Sequence, residues 1–148
     1  MIQRVQTIWM ILAAIAAFLT IKFSFYSGTL AIQNGADAVT SMATDGTYQL
    51  VTATDNFIIL ILTSALGTGI IINIFLFKHR SIQIRIIIAA IIVECLIIFL
   101  YYRQTLKFSQ GSYNFWDILH ILIIVFLILA ARGIYKDSKL IKESNRLR

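Results

Sequence analysis

The sequence has no proline, a single cysteine and few charged residues. Of its 148 residues, 14% are charged and 59% are apolar, and its mean hydropathy is +0.83. An ordinary soluble domain is about half apolar and about a quarter charged. This composition excludes a soluble enzyme, a disordered chain and a disulfide scaffold. Because Cys95 is the only cysteine, an intrachain disulfide and a cysteine-based metal site are excluded as well.

Four apolar runs are long enough to cross a membrane, since a spanning helix needs about 20 residues. They cover residues 8–26, 57–77, 84–102 and 115–135. The first run lacks a convincing small-residue cleavage site, so we predict an uncleaved helix and not a signal peptide. The sequence therefore predicts an all-α membrane protein, with a four-helix transmembrane bundle in one domain over residues 1–148.

Lysine and arginine are absent from the first loop, residues 27–56, which holds three aspartates. Placing both termini inside puts ten basic residues on the cytoplasmic side and only Arg103 and Lys107 outside. Cytoplasmic loops are enriched in Lys and Arg. We therefore predict a multi-pass protein of the inner (cytoplasmic) membrane, with both termini in the cytoplasm. The net charge is +6, and the basic residues that produce it flank the apolar runs. This placement indicates contact with anionic lipids and not with nucleic acid.

The first loop is too long for a tight connection between two spans. It contains the turn-forming pair Asp45-Gly46, with strand-forming residues on either side at 39–44 and 47–52. The pattern predicts a small extracytoplasmic β-hairpin. An isolated hairpin is marginal in water, so it must rest on the helix ends or on a partner protein.

Four polar residues fall inside the predicted spans. Glu94 is near the middle of the third span, where an unpaired carboxylate costs roughly 3 kcal/mol or more. Lys22 and Asp117 lie at similar depths in the outer half, which makes an ion pair between them plausible. His120 is three residues after Asp117 and so shares its helix face.

These residues admit three interpretations. Asp117, His120 and Glu94 can form a proton or cation relay or a small-substrate site. Lys22 and Asp117 can instead reach the interface while Glu94 hydrogen-bonds a neighbouring helix as a neutral acid. A contact with another subunit is the third interpretation.

Catalytic, metal and cofactor motifs are missing from the pattern. His79 and His120 fall on opposite sides of the predicted membrane, too far apart to share a metal. No Ser-His-Asp spacing and no phosphate-binding glycine loop occurs. We therefore predict a non-enzymatic protein with no catalytic residue, metal or cofactor.

Small and aromatic residues suggest how the helices pack. Ala13 and Ala17 on the first helix, and Ala65 and Gly69 on the second, have a four-residue spacing that permits close helix approach, either within one chain or between two copies. Aromatic residues at the outer ends of the spans are typical of an interfacial belt, although a ligand cage is an alternative. These are Tyr26, Tyr101, Tyr102, Tyr113 and Trp116.

The tail, residues 136–148, continues the fourth helix as a basic amphipathic segment. Such a helix is suited to the inner leaflet of a membrane. Docking to a cytoplasmic partner is the alternative.

Three stretches together resemble a known family. They are residues 1–9 (MIQRVQTIW), 72–85 (INIFLFKHRSIQIR) and 135–148 (YKDSKLIKESNRLR). In order and spacing they are similar to the small four-helix membrane proteins of Bacteroidetes grouped as domain of unknown function 4293. The resemblance implies an inner-membrane protein with no established activity, and it supplies no catalytic residues.

All three stretches fall on or near the predicted cytoplasmic face, which favours an interaction at that face. The first hypothesis is a non-enzymatic protein that binds a membrane-protein partner, or a second copy of itself, or supports envelope assembly. The second is a small proton-coupled transporter that carries protons on Glu94. The first hypothesis assigns an inner surface to Gln3, Arg4, Asn73, Lys78, Arg80, Gln83, Arg85, Lys136, Asp137, Arg146 and Arg148.

Overall fold

The computed structural model describes residues 2–30, 48–77, 79–106 and 108–146. Its four helices are α1 (Ile2–Lys22), α2 (Phe57–Phe75), α3 (Arg80–Thr105) and α4 (Ile118–Arg146). All four are long and apolar enough to cross a membrane. The predicted four-helix fold is confirmed, and the basic tail continues α4 as one helix to Arg146.

The bundle is apolar on its outside as well as in its core. Ile87, Ile97 and Leu127 are fully buried between the helices. Ile92 and Ile121 point outward and are 62% and 61% exposed. A helix that is apolar on all sides is stable only in a large core or in lipid. The outward faces therefore fit a lipid-exposed bundle.

Three short strands close one end of the bundle. They are β1 (Tyr26–Leu30), β2 (Tyr48–Val51) and β3 (Phe108–Tyr113). The sheet is antiparallel with β1 in the middle, in the order β2-β1-β3. We call this end of the molecule the sheet end.

The prediction of β-structure in the first loop is confirmed, but the pairing differs from the predicted hairpin. Residues 48–51 form a strand whose partner is β1, directly after the first helix. The predicted partner, residues 39–44, lies outside the described residues. The third strand comes from the loop between α3 and α4, and its Ser, Gln and Gly residues are weak strand formers. It therefore gave no signal in the sequence.

Hydrogen bonds of Ser24 and Phe25, which follow α1, connect the sheet to the helices. The backbone N–H of Phe25 donates to the Val51 carbonyl at 2.8 Å, and the Asn114 N–H donates to the Phe25 carbonyl at 3.1 Å. The Asn114 side chain also donates to Ser24 Oγ at 2.7 Å. Phe25 thus joins α1, β2 and the start of the fourth helix.

The two predicted small-residue spacings have different outcomes. Ala13 and Ala17 are fully buried where α1 packs against its neighbours. Ala65 is exposed, and a side chain added at Gly69 would meet nothing within 4 Å. It is Gly67 that faces the interior, where an added Cβ would lie 3.0 Å from the ring of Phe18. The Ala65–Gly69 prediction of close helix approach is therefore wrong within the chain.

The aromatic-belt prediction is also wrong for two of its members. Tyr26 and Tyr101 are buried, because both contribute rings to the core below the sheet. Tyr102, Tyr113 and Trp116 are exposed, as a belt requires.

Candidate functional site

Two of the predicted intramembrane residues meet inside the bundle. Nδ1 of His120 on α4 lies 2.6 Å from Oε1 of Glu94 on α3. Both side chains are buried, with 1% of Glu94 and 4% of His120 exposed. A short contact between an acid and a base satisfies two polar groups whose separate burial would be costly. We call these two residues the buried pair.

Aromatic rings enclose the buried pair on the side of the sheet. The Phe25 and Tyr101 rings stack with their centroids 4.5 Å apart. Each also meets the His120 imidazole edge-on, at 5.7 Å for Phe25 and 5.3 Å for Tyr101. Such edge-to-face contacts are a favourable arrangement of aromatic rings.

Asp117 lies one helical turn from His120, toward the sheet end. It is less buried than the buried pair, yet its Oδ1 is buried and has no hydrogen-bond partner. Lys22 is exposed at the end of α1. In the described part of the chain Lys22 and Asp117 form no ion pair, so the predicted pairing is not seen. The structure joins Glu94 to His120 and leaves Lys22 apart.

An apolar layer separates the buried pair from the opposite end of the bundle. Between Glu94 and Gln83 on α3 the fully buried residue is Ile87. On α4 the buried residues that follow His120 include Ile123 and Leu127. Glu94 and Gln83 are eleven residues apart, which is about 16 Å along a helix. The described chain therefore offers no continuous polar path through the bundle.

Neutral polar residues are buried at the end opposite the sheet. Asn73 Nδ2 donates to the Gln83 carbonyl at 3.3 Å, and Gln83 Nε2 donates to the Asn73 carbonyl at 3.2 Å. Both amides also lie near the sulfur of Met10, at 3.7 and 3.9 Å. These reciprocal bonds join α2 to α3 across their connection, and they place the two side chains inside the bundle. Asn73 and Gln83 are therefore buried and do not belong to the inner surface that was predicted from the sequence.

Arg80 and Asp137 form an ion pair near the same end. Nη2 of Arg80 lies 2.8 Å from Oδ2 of Asp137, and the two side chains are 22% and 16% exposed. The pair connects the start of α3 to the last part of α4. These two charges thus neutralise each other within the chain.

Among the side chains that the structure describes at this end, the exposed charged ones are basic. Arg85, Arg132 and Lys136 are exposed on α3 and α4, and we call these three residues the basic patch and this end the basic end. Arg146 lies on α4, and its side chain lies outside the described residues, as do those of Gln3 and Arg4. Lys78 and Arg148 lie outside them entirely.

Sequence reasoning missed several residues that shape the two ends. Gln6 is buried on α1 with its Nε2 unpartnered, and a Cβ at Gly133 would lie 2.6 Å from its Cγ. A glutamine near the first residues of a helix gives no signal of burial. Phe25 follows the first helix and reads as part of its apolar run. Its role depends on the sheet, which brings it back over His120.

The chemistry available at the site is proton binding. The described residues contain no group of three or more His, Cys, Asp and Glu side chains that could hold a metal. The buried pair can instead hold one proton between an acid and a base.

The fold and the two ends define an integral membrane protein, a four-helix bundle with a three-stranded cap at one end and exposed basic residues at the other. The chain belongs to the family described as Domain of unknown function (DUF4293), whose model matches residues 2–147. No curated protein and no solved structure matches the chain.

Proposed function

We propose that the protein is a non-enzymatic membrane protein of the inner membrane that binds an acidic partner protein through the basic patch. The observation that carries this proposal is the distribution of charge at the basic end. Arg80 and Asp137 neutralise each other, whereas Arg85, Arg132 and Lys136 are exposed and have no ion-pair partner among the described residues. Charges left unpaired at a surface favour association with a surface of opposite sign.

The length of α4 supports a surface outside the membrane. Its 29 residues correspond to about 43 Å, while the hydrocarbon core of a bilayer is about 30 Å thick. The excess lies at the basic end, because charged residues begin at Arg132. With both termini in the cytoplasm, a partner would dock on the cytoplasmic side.

Charge reversal at the basic patch tests this function. The tagged full chain is isolated from its own membrane in mild detergent, as wild type and with Arg85, Arg132 and Lys136 all changed to Glu. We expect a stoichiometric partner with wild type and its loss from the triple variant. Arg103→Glu is the matched control, since Arg103 is an exposed arginine at the other end of α3. A partner retained by the triple variant, or a chain that purifies alone, contradicts the proposal.

Small proton-coupled transport is the second candidate, and the contact between Glu94 and His120 favours it. Because the apolar layer interrupts the polar residues, one copy of the chain does not form a complete proton path. A second copy would have to complete that path. Full-length protein in vesicles with an internal pH-sensitive dye tests it. Transport predicts a proton flux that Glu94→Gln abolishes, and the absence of flux from wild type contradicts it.

A further inference from the structure

We propose that Glu94, His120 and Asp117 form a proton-binding site open toward the sheet end, and that Phe25 transmits its protonation state to the three-stranded sheet. This role is separate from partner binding at the basic patch. It also differs from transport, because no proton has to cross the apolar layer.

The buried pair holds one proton between its two members. Nδ1 of His120 and Oε1 of Glu94 are 2.6 Å apart, so a proton lies between them. With that proton the pair is neutral overall, as imidazolium and carboxylate or as imidazole and carboxylic acid. Removal of this proton or addition of a second would leave an uncompensated charge in the core.

Asp117 gives the site a second, exchangeable proton. It interacts electrostatically with His120 and lies on the same face of the chain, nearer the sheet end. When Asp117 is ionised, the three groups together carry one negative charge. When a proton binds to it, the three groups are neutral. Its partial exposure gives protons from solvent at the sheet end a route to the site.

The other ionisable groups near the site come from each neighbouring element. Tyr101 lies on α3 beside His120, and Asp55, in the short 3₁₀ turn before α2, acts electrostatically on Tyr101. Tyr26 and Tyr113 belong to the sheet, and α2 itself contains no ionisable residue. Lys22 at the end of α1 is exposed.

Phe25 links the charge of the site to the sheet. Its ring contacts both His120 and Tyr101, and its backbone N–H and carbonyl bond Val51 and Asn114. Because the Phe25 ring packs against the imidazole, a change in the charge around His120 acts on this contact. Protonation of Asp117 changes that charge by one unit. The position of Phe25, and with it the attachment of β2, therefore depends on the proton at Asp117.

Fluorescence of Trp116 tests the binding site. The chain has two tryptophans, so Trp9→Phe leaves Trp116 alone, next to Asp117 and stacked on Phe23 at 3.6 Å. In lipid nanodiscs we expect its emission to change with pH in one transition between about pH 4 and about pH 9. Asp117→Asn should abolish this transition, and Glu94→Gln should move its midpoint by about one pH unit or more.

The control for this titration is Asp137→Asn, which changes an acid at the basic end and should leave the transition of Trp116 unchanged. A transition that survives Asp117→Asn overturns the binding site. A midpoint that is the same in wild type, Glu94→Gln and His120→Gln overturns the three-residue site. Because His120→Gln keeps a polar side chain, it serves where Glu94→Gln does not fold.

Hydrogen exchange tests the coupling to the sheet. The protection of the β2 amides against hydrogen exchange is measured at pH values below and above the Trp116 transition and is corrected for intrinsic exchange rates. In wild type this protection should change severalfold between the two pH values. Phe25→Leu should remove this change and keep the Trp116 transition, and Tyr101→Leu should do the same through loss of the stacked ring. Protection that does not depend on pH in wild type, or that changes equally in both variants, overturns the coupling. Neither measurement detects proton flux, so failure here leaves transport and partner binding to their own tests.

Discussion

The sheet end and the basic end both bury polar side chains, but they bury different chemical groups. At the sheet end Glu94 contacts His120, and both groups can gain or lose a proton. At the basic end Asn73 and Gln83 are neutral amides that bond each other's backbone carbonyls. Amides satisfy buried backbone groups without any exchange of charge. The comparison therefore separates an end whose buried polar groups are neutral amides from an end whose buried polar groups are an acid and a base.

The largest expected effect comes from breaking the buried pair. Glu94→Ala leaves His120 without its partner in the core, and we expect a loss of about 3–5 kcal/mol in the free energy of unfolding. Unfolding in mixed detergent micelles, followed by circular dichroism, measures the loss. Replacing both residues, Glu94→Leu with His120→Leu, should restore most of the stability, because no buried charge remains. If the double variant is as unstable as the single one, the pair is held by packing and not by charge.

The next effect concerns the sheet that covers this pair. A Cβ at Gly111 of β3 would lie 2.5 Å from the Ser27 carbonyl of β1, so Gly111→Ala must push the strands apart. We expect a loss of about 2–3 kcal/mol, as for overpacking. Thermal unfolding measures it.

Gly69→Ala is the matched control for that substitution. Its new methyl group meets nothing within 4 Å, and an alanine favours the helix. We expect a stability equal to wild type or slightly higher. Equal losses at Gly111 and Gly69 would mean that the strand contact does not stabilise the sheet end.

The two ends also differ in how much the sequence reveals. Long apolar runs predicted all four helices, because the length required to span a bilayer is a strong constraint. Depth along the spans placed Glu94 and His120 in the same half of the membrane, and the structure brings them into contact. Pairing between distant loops could not be predicted, since β3 has weak strand propensity and lies more than seventy residues after its partner β1.

At the basic end, two residues that the sequence predicted on a surface are buried inside the bundle. The stretch 72–85 that resembles the family assigns Asn73 and Gln83 to the predicted inner surface. They instead turn inward, where the carbonyls between α2 and α3 need donors. For Asn73, periodicity does not distinguish these alternatives, because the residues on both sides of it are apolar.

A smaller effect is expected where an amide at the basic end is removed. Asn73→Leu takes away the donor to the Gln83 carbonyl and leaves that carbonyl buried, for a loss of about 1–2 kcal/mol. Because no charge is involved, the loss should be the same at every pH at which the protein is folded. Denaturant unfolding at several pH values measures it. A loss that varies with pH would mean that this end also contains a group that titrates, which would remove the contrast with the sheet end.

The smallest effect is expected for the ion pair between Arg80 and Asp137. Both side chains remain partly exposed, and exposed ion pairs stabilise proteins by about 0.2–1 kcal/mol. We expect Asp137→Asn to reduce the free energy of unfolding by about 0.5 kcal/mol, and high salt should remove the difference because it screens such charges. The same substitution frees Arg80 and so adds a positive charge at the basic end. If the basic patch binds an acidic partner, Asp137→Asn should therefore strengthen that binding while it weakens the fold. Binding that falls together with stability would assign the ion pair, and not the exposed basic residues, to the partner contact.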